Sequence, residues 1–265
     1  MPGSSRRAET AALALAVAVL ALAGAGHAAP REVPLFGYQV LASWPHDAKA
    51  FTEGLDVDGG VLYESTGRNG ESTIRKIELR TGRVLRSARL ARRYYGEGAT
   101  VLRGRVYQLT WTQKTGFVYD AATLRRLRTF TYTGEAWGVT HFGNLLVVSD
   151  GTSVVRFLDA STFAVRRKLV VRDEQGETVG SLNELELVDG AICANVFPGE
   201  RIVCFDPVSG RVRYWVDLAE LLPPELRPGD EDAVANGIAY AGKRGRLIVT
   251  GKLWPRVFEI RLVRR

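Results

Sequence analysis

The sequence predicts an all-β fold: a five-bladed β-propeller with blades of four antiparallel strands and a ring closed by the N-terminal strand. Two observations lead to this prediction. After residue 30 helical periodicity is nearly absent, and short alternating runs of β-branched and aromatic residues are bounded by Gly, Asp and Asn. These runs recur as larger units of four strands, and such units at a period of about 40–50 residues are typical of propeller blades.

Five such units cover nearly all of the chain after residue 50. In each unit a strand reaches a turn with Gly, a second apolar strand follows, and a third ends in a turn led by Asp or Arg before the fourth. Gly54, Gly98 and Gly138 occupy equivalent positions in the first three units. The two halves of the units are residues 54–67 and 72–90, 96–111 and 116–132, 137–151 and 153–171, 183–197 and 200–218, and 236–254 and 256–263.

The fifth unit contains three clear strands, which leaves one strand of the last blade to be assigned. Residues 35–41 form an isolated strand-like run near the N-terminus and are predicted to supply it as the outer strand. Joining the first and last segments in one sheet closes the ring and removes an open edge. Residues 218–222, ahead of Pro223 and Pro224, are the one helix-compatible stretch, a short turn in an insertion that runs to Asp232.

The composition, with 46% hydrophobic and 25% charged residues over 265 positions, is that of a globular protein. Two cysteines exclude a disulfide-dense scaffold and a Cys-rich zinc module, and three histidines argue against a multi-His metal site. We therefore expect no metal and no cofactor. The net charge of +7 comes mostly from arginines spread along the chain without a dense basic patch, so no nucleic-acid partner is expected.

Residues 1–28 are predicted to be a signal peptide. Arg6 and Arg7 precede an Ala/Leu/Val run over residues 11–25, and the small residues that follow suit cleavage after Ala28. The run is shorter than the roughly 20 residues that span a bilayer. Residues 29–265 are expected to form a single catalytic propeller domain, exported to the periplasm or secreted, monomeric, and free of the membrane after cleavage.

Unusual polar and aromatic residues recur at equivalent positions of the units. In a propeller these positions converge on one end of the central channel, which predicts a small polar pocket with aromatic walls. They are Phe51, Thr52, Glu53, Tyr95, Glu97, Glu135, Trp137, Asn183, Glu184 and Asn236 at unit starts, and Glu64, Trp111, Asp150, Asn195, Phe197, Lys252 and Trp254 at second-strand ends. Any single Trp or acid among them could instead be a packing or turn residue.

Glu97 is the clearest candidate among these positions. It lies between Gly96 and Gly98, which leave the backbone open around it. Aromatic neighbours would exclude water from its carboxylate and raise its pKa toward neutrality, as a general acid/base requires.

The segments FTEGL, YESTG, YGEG, LTW, GEAWG, LNELE, NGIAY and GKLWP, with the preceding Pro45-His46-Asp47, resemble the plant and bacterial type of glutaminyl-peptide cyclotransferase. The resemblance spans residues 35–262 in order and at consistent spacing. It implies a five-bladed propeller and an aminoacyltransferase that converts the N-terminal glutamine of peptides and proteins to pyroglutamate with release of ammonia. Animal glutaminyl cyclases of the zinc type have an unrelated fold, and their metal ligands have no counterpart here.

Carried over position by position, the resemblance makes Glu97 the general acid/base, with Glu53 and Lys252 as further catalytic residues. It places around the substrate Phe51, Tyr95, Trp111, Trp137, Asn183 and Phe197, with Asn236 and Trp254 as neighbours. Three positions depart from the plant pattern: Glu53 stands for Gln, Tyr95 for Phe, and Phe197 for Trp. These departures concern substrate affinity and the pH optimum more than the reaction.

The chemistry suits these residue types. The substrate α-amine must lose a proton to attack its own γ-carboxamide carbon, and the leaving nitrogen must gain one, so a single carboxylate can shuttle the proton. The developing oxyanion needs hydrogen-bond donors, for which Lys252, Asn183 and the indole N–H groups are the candidates. Glu53 would hold the substrate α-ammonium group or act as a second acid.

Two other functions fit an exported, repeat-built chain. One is a non-catalytic periplasmic propeller that serves as a binding or assembly module, which ammonia release from a dipeptide such as Gln-Ala would exclude. The other is a metal-dependent lactonase of propeller shape, which needs Glu, Asn and Asp ligands on the axis and would be sensitive to chelators.

Cys193 and Cys204 are predicted to face each other on the two strands of a hairpin centred between Pro198 and Gly199. Directly opposed residues at a non-hydrogen-bonded position have Cα atoms ~4.5 Å apart, within reach of a disulfide, and export makes oxidation possible. A pair of buried free thiols is the alternative.

Overall fold

The computed structural model describes residues 32–265, and the predicted signal peptide lies outside the described residues. The described part forms β-strands and one short 3-10 turn. The strands are β1 Leu35–Pro45, β2 Thr52–Asp58, β3 Val61–Thr66, β4 Thr73–Glu78, β5 Arg83–Arg89, β6 Gly96–Leu102, β7 Arg105–Thr110, β8 Thr115–Asp120, β9 Arg126–Thr131, β10 Val139–Phe142, β11 Leu145–Val148, β12 Val154–Asp159, β13 Val165–Val170, β14 Leu182–Val188, β15 Ala191–Val196, β16 Arg201–Phe205, β17 Val212–Asp217, β18 Ala235–Ala239, β19 Arg246–Gly251 and β20 Arg256–Arg264.

The first three predicted units are separate four-stranded antiparallel sheets, β2 to β5, β6 to β9 and β10 to β13, each in sequence order. Short hairpin turns account for this order. Gly59 and Gly60 have φ of 57° and 79°, the left-handed conformation that two-residue hairpin turns need at both positions. The same pair of positive φ angles recurs at residues 103–104 and 189–190.

The fourth and fifth units share one eight-stranded sheet, in the order β14-β15-β16-β17-β1-β20-β19-β18. β1 pairs antiparallel with β20 from Phe36, opposite Arg264, to Pro45, opposite Arg256. This pairing confirms that the N-terminal segment completes the last unit. The first two residues of β1 also pair in parallel with β17, which joins two units that the repeat pattern treats as separate.

The first strands of the five units, β2, β6, β10, β14 and β18, lie side by side: each contacts the next, and β18 contacts β2. Glycines make this close approach possible. A Cβ on Gly54 would collide with the backbone of Ala99, and one on Gly98 would lie 2.6 Å from the backbone nitrogen of Val139. The repeated Gly is therefore a packing requirement between neighbouring units.

The apolar core lies between neighbouring sheets. The innermost strand β6 is buried at all of its residues, whereas the outermost strand β5 is largely exposed. One cluster combines Ile74 of β4 with Val101 of β6 and Phe117 of β8, and so takes side chains from two sheets. Burial of these faces holds each sheet against the next.

The insertion before the fifth unit contains a short turn, as the sequence predicts, and then one 3-10 turn. Residues 218–222 form a turn and a bend, and the 3-10 turn comes later, at Pro224–Leu226. Proline suits the start of a helical turn, where its missing N–H would have no partner. Leu221 and Leu222 are buried in the core, so side-chain burial fixes the end of the predicted turn. Within residues 32–265 no helix is long and apolar enough to cross a membrane.

The fourth unit contains both cysteines. Cys193 on β15 lies directly opposite Cys204 on β16, which confirms the predicted register. The structure joins the two sulfurs in a disulfide, with Cα atoms 4.0 Å apart. Both residues are fully buried in the cluster between the fourth and fifth units.

Candidate active site

A pocket of about 320 Å³ opens at the end of the molecule where the first strands of the units begin. Each of the five units contributes to its wall. The lining residues are Phe51, Glu53, Tyr95, Glu97, Trp111, Trp137, Asn183, Phe197, Asp232 and Lys252. Nine of these ten are residues that the sequence predicts for the site; Asp232 is the addition, while the predicted Asn236 and Trp254 do not line the pocket.

Irregular strand pairing explains how polar side chains reach this pocket. In four units the pairing of the first and second strands shifts register near its start, as at a β-bulge. The shifts include Glu53, Glu97, Asn183 and Asn236. A bulge re-aims side chains and is common beside active sites. The same local irregularity therefore brings four polar residues to one end of the strands.

Glu97 is buried, with 6% of its surface exposed, and lines the pocket. Its carboxyl has no side-chain hydrogen bond to residues 32–265. Burial raises the pKa of Glu97 well above its ordinary value, the negative charges of Glu53 and Glu135 raise it further, and Lys252 opposes the rise. The group is therefore able to hold a proton at a higher pH than an ordinary glutamate, which suits proton transfer in the pocket.

Glu53 forms a buried ion pair with Lys252, with Nζ 2.8 Å from Oε1. Tyr95 donates its hydroxyl to the same oxygen at 3.3 Å, and Asn236 donates its side-chain amide to Oε2 at 3.1 Å. Burial raises the pKa of Glu53, and the ammonium of Lys252 opposes that rise. Asn236 thus stands behind Glu53 as its partner instead of facing the pocket.

Aromatic rings surround the charged pair. The Lys252 ammonium lies 4.6 Å from the ring centroid of Phe51 and 5.5 Å from that of Phe197, within range of cation–π attraction. Two edge-to-face pairs continue the wall, Tyr95 with Trp111 and Trp137 with Phe197. Five aromatic side chains therefore line the pocket: Phe51, Tyr95, Trp111, Trp137 and Phe197.

The indole N–H groups are not free donors, contrary to the expectation from sequence. Trp111 and Trp137 both donate Nε1–H to Oε2 of Glu135, at 2.9 Å and 3.3 Å. The repeat positions predict that the rings share the pocket, but the common acceptor depends on how the second and third units are placed side by side. Lys252 and Asn183 remain as candidate donors to an oxyanion.

Trp254 is a core residue, which corrects its predicted place beside the substrate. Its side chain is 1% exposed, its Nε1–H donates to the carbonyl of Ala233 at 3.1 Å, and its ring packs edge-on against Phe258. Gly251 leaves room for this inward placement, because a Cβ there would lie 2.5 Å from Trp254 Nε1. The chain turns at Leu253, where φ is 62°, so Lys252 faces the pocket while the indole packs away from it.

Asn183 is 3% exposed and lines the pocket, and its side-chain oxygen has no hydrogen-bond partner among residues 32–265. Its backbone oxygen, by contrast, accepts a bond from the Ser149 hydroxyl at 2.6 Å. Buried polar atoms are nearly always paired in folded proteins. An unpaired amide oxygen in the pocket that Glu97 also lines therefore suits the N–H groups of a polar ligand.

The site also contains two further acids, of which the sequence predicts one. Asp232 ends the insertion before β18, which has no counterpart in the other units, so comparing repeats gives no signal for it. Glu135 is one of the predicted unit-start residues, but its bonds to the two indoles are not predicted from the sequence. Within residues 32–265 no group of three or more His, Cys, Asp or Glu side chains is placed to hold a metal ion.

Similarity to known proteins shows which family the chain belongs to. The family model described as glutamine cyclotransferase matches residues 11–262. A glutaminyl-peptide cyclotransferase of Arabidopsis thaliana is 40% identical over 227 residues, which cover 84% of this chain and 71% of that protein. The crystal structure of Myxococcus xanthus glutaminyl cyclase aligns with a TM-score of 0.82 and 34% identity, over 88% of this chain and 100% of that one. The chain therefore belongs to the glutamine cyclotransferase family.

Proposed function

We propose that the protein is a glutaminyl-peptide cyclotransferase, which converts the N-terminal glutamine of peptides or proteins to pyroglutamate and releases ammonia. The reaction moves the γ-glutamyl acyl group from one nitrogen to another, so the enzyme is an aminoacyltransferase. Beyond family membership, the observation that carries the proposal is Glu97, a buried carboxyl in the pocket with a raised pKa and no side-chain partner within residues 32–265.

We also propose that the fold is a five-bladed β-propeller. Support comes from five four-stranded units, the last completed by β1, and from the cyclic contacts of their first strands. The eight-stranded sheet would then be two blades joined by the short parallel contact between β1 and β17. The pocket lies where such a ring would have one mouth of its channel.

In the proposed site, different residues bind the substrate and transfer its protons. The oxygen of Asn183 accepts an N–H of the substrate, and the aromatic rings enclose the glutamine side chain. Lys252 has N–H groups beyond the one directed at Glu53, and one of these stabilises the oxyanion that develops on the γ-carbonyl oxygen. Glu53 orients Lys252 and supplies the negative charge that attracts the substrate ammonium.

Glu97 shuttles the protons in this proposal. Its carboxylate takes a proton from the α-ammonium, and the free amine attacks the γ-carbonyl carbon, forming the new C–N bond and an oxyanion. Glu97 then gives its proton to the leaving nitrogen and takes one from the ring nitrogen as the old C–N bond breaks. Ammonia accepts that proton and departs as ammonium, which returns Glu97 to its starting form.

The test is ammonia release from Gln-Ala in a coupled assay, with pyroglutamyl-alanine identified by mass spectrometry. N-acetyl-Gln-Ala is the matched control, because its blocked nitrogen cannot attack the side-chain amide. Ammonia from the free dipeptide alone supports the proposal. Binding of Gln-Ala without ammonia would instead indicate the non-catalytic binding or assembly module.

Chelation separates the proposed reaction from that of a metal-dependent lactonase. Proton transfer through Glu97 needs no metal, so dialysis against EDTA is expected to leave kcat unchanged. A rate that falls after dialysis and returns with zinc or calcium would contradict this mechanism and favour a metal-dependent reaction.

Export of the mature enzyme to the periplasm or the medium is part of the proposal. It rests on the leader pattern of residues 1–28. N-terminal sequencing of the protein recovered from these fractions should begin at residue 29, and size-exclusion chromatography should give the mass of a monomer. Recovery of an unprocessed chain in the cytoplasm would contradict export.

A further inference from the structure

Glu135 stands at the rim of the pocket with one carboxylate oxygen shared between two rings. Oε2 accepts the indole N–H of Trp111 at 2.9 Å and that of Trp137 at 3.3 Å. Trp111 belongs to the second unit and Trp137 to the third. A single acceptor thus links the aromatic walls that two neighbouring units contribute to the pocket.

The backbone of Glu135 is itself held in place. Arg156, which is 5% exposed, donates to the backbone carbonyls of Thr133 and Glu135. Gly134 between them has φ of 79°, a conformation that favours glycine and lets both carbonyls face the guanidinium. The residue that fixes the indoles is therefore fixed in turn by a buried cation of the third unit.

The linked rings extend in both directions around the pocket. Trp111 meets Tyr95 edge-to-face with centroids 5.8 Å apart, and Trp137 meets Phe197 in the same way at 6.1 Å. Tyr95 in turn reaches Glu53, and Phe197 lies against Lys252. A change at Glu135 would thus loosen the aromatic wall of the pocket in both directions from the two indoles.

We propose that Glu135 is a positioning residue for the reaction: its carboxylate fixes Trp111 and Trp137 so that they enclose the substrate. The inference rests on the proposed cyclotransferase activity. Glu135 does not touch the reacting atoms, and the family resemblance does not assign this role to it. Its negative charge has a second effect, because it contributes to the raised pKa of Glu97.

Two substitutions separate the hydrogen bonds from the charge. Glu135→Gln keeps an oxygen that can accept from the indoles but removes the charge, whereas Glu135→Ala removes both. We expect Glu135→Ala to raise KM about 3- to 10-fold, since two modest hydrogen bonds are lost, and Glu135→Gln to leave KM within about 2-fold of wild type. Both should move the acid limb of the pH–kcat/KM profile to lower pH, because both lose the charge that favours protonated Glu97.

Glu78→Gln is the matched control. Glu78 is a partly exposed acid at the end of β4 that does not line the pocket. Its replacement changes the net charge equally and should alter neither KM nor the acid limb. Acrylamide quenching of tryptophan fluorescence gives a readout independent of activity. It should increase in Glu135→Ala and stay near wild type in Glu135→Gln, with thermal melting confirming that both variants fold.

The outcomes distinguish the inference from the proposed function. If wild-type protein releases no ammonia from Gln-Ala, the proposed function fails, and quenching alone decides whether Glu135 fixes the indoles. If wild type is active but Glu135→Ala matches it in KM, acid limb and quenching, the positioning role is overturned. Equal loss of kcat in both variants with unchanged KM would also overturn it, because the indoles then do not depend on the hydrogen bonds.

Discussion

Among single residues, the buried acids of the chain differ in the hydrogen bonds that their carboxylate oxygens accept. Glu184 accepts the backbone N–H groups of Leu55 and Ile238, one on each oxygen. Glu97 accepts none from side chains of the described residues and instead faces the pocket. Because a carboxyl already bonded to the main chain is held in a structural role, the environment of Glu97 is what makes it available for proton transfer.

Replacement of Glu97 by Gln tests this role directly. Glu97→Gln keeps the shape of the side chain and removes its titratable proton, so kcat should fall about 10²–10⁴-fold while the melting temperature stays near wild type. Ammonia release from Gln-Ala and a thermal melt are the measurements. A variant that folds and retains more than a tenth of wild-type kcat would remove Glu97 from the mechanism.

At the scale of strands and turns, local signals predict most of the architecture. Two-residue turns with Gly set the hairpins, and the hairpin centre alone places Cys193 opposite Cys204. The parallel contact of Leu35 with β17, the burial of Trp254 and the acceptor shared by two indoles all depend on which segments pack side by side. A repeat pattern read along the chain carries no information on those contacts.

The repeated Gly at the starts of the first strands makes a prediction about stability. Gly98→Ala would place a Cβ 2.6 Å from the backbone nitrogen of Val139, so the free energy of unfolding should fall by about 1–3 kcal/mol. Gly229→Ala is the matched control, because a Cβ there meets nothing within 4 Å. Urea unfolding that gives both variants the same free energy would show that the neighbouring strands move apart freely.

The hairpin of β15 and β16 makes a second prediction at this scale. Protein purified from an oxidising compartment should show no free thiols when denatured without reductant, and two after reduction, because Cys193 and Cys204 are bonded. Reduction should lower the free energy of unfolding by about 2–3 kcal/mol, since the bond closes a short loop. Thiol titration that counts two free thiols before reduction would show that the bond does not form in solution.

In the whole molecule, buried carboxyls tie the first strands of different units together. Asp56 of β2 accepts the N–H of Val101 in β6, and Glu186 of β14 accepts that of Tyr240 after β18. Glu184 links β14 to both β2 and β18. Burial is the largest cause that raises the pKa of each of these three acids. Contacts between units thus depend on groups that are costly to ionise.

Stability should therefore depend on pH through these acids. A folded-state pKa above the unfolded one means that the folded protein binds more protons, so their contribution is present below the unfolded pKa and is lost as pH rises through the folded pKa. Glu186→Gln can keep the bond from Tyr240 and donate to Thr140. The unfolding free energy of this variant should therefore fall less steeply over the pH range above the ordinary pKa of glutamate, about 4.3. Urea unfolding across this range, with Glu78→Gln as control, measures it; identical slopes in the variant and wild type would contradict the assignment.

The pairing of β1 with β20 has a consequence for the order of events during biosynthesis. β1 is the first strand of the described chain to be made and β20 the last, and within residues 32–265 β1 pairs with β20 and, briefly, β17. Most of its backbone N–H and C=O groups therefore lack a hydrogen-bond partner until residues 256–264 have been made. Until residue 264 has been made, the chain therefore cannot complete this fold, and its first strand keeps unpaired backbone groups.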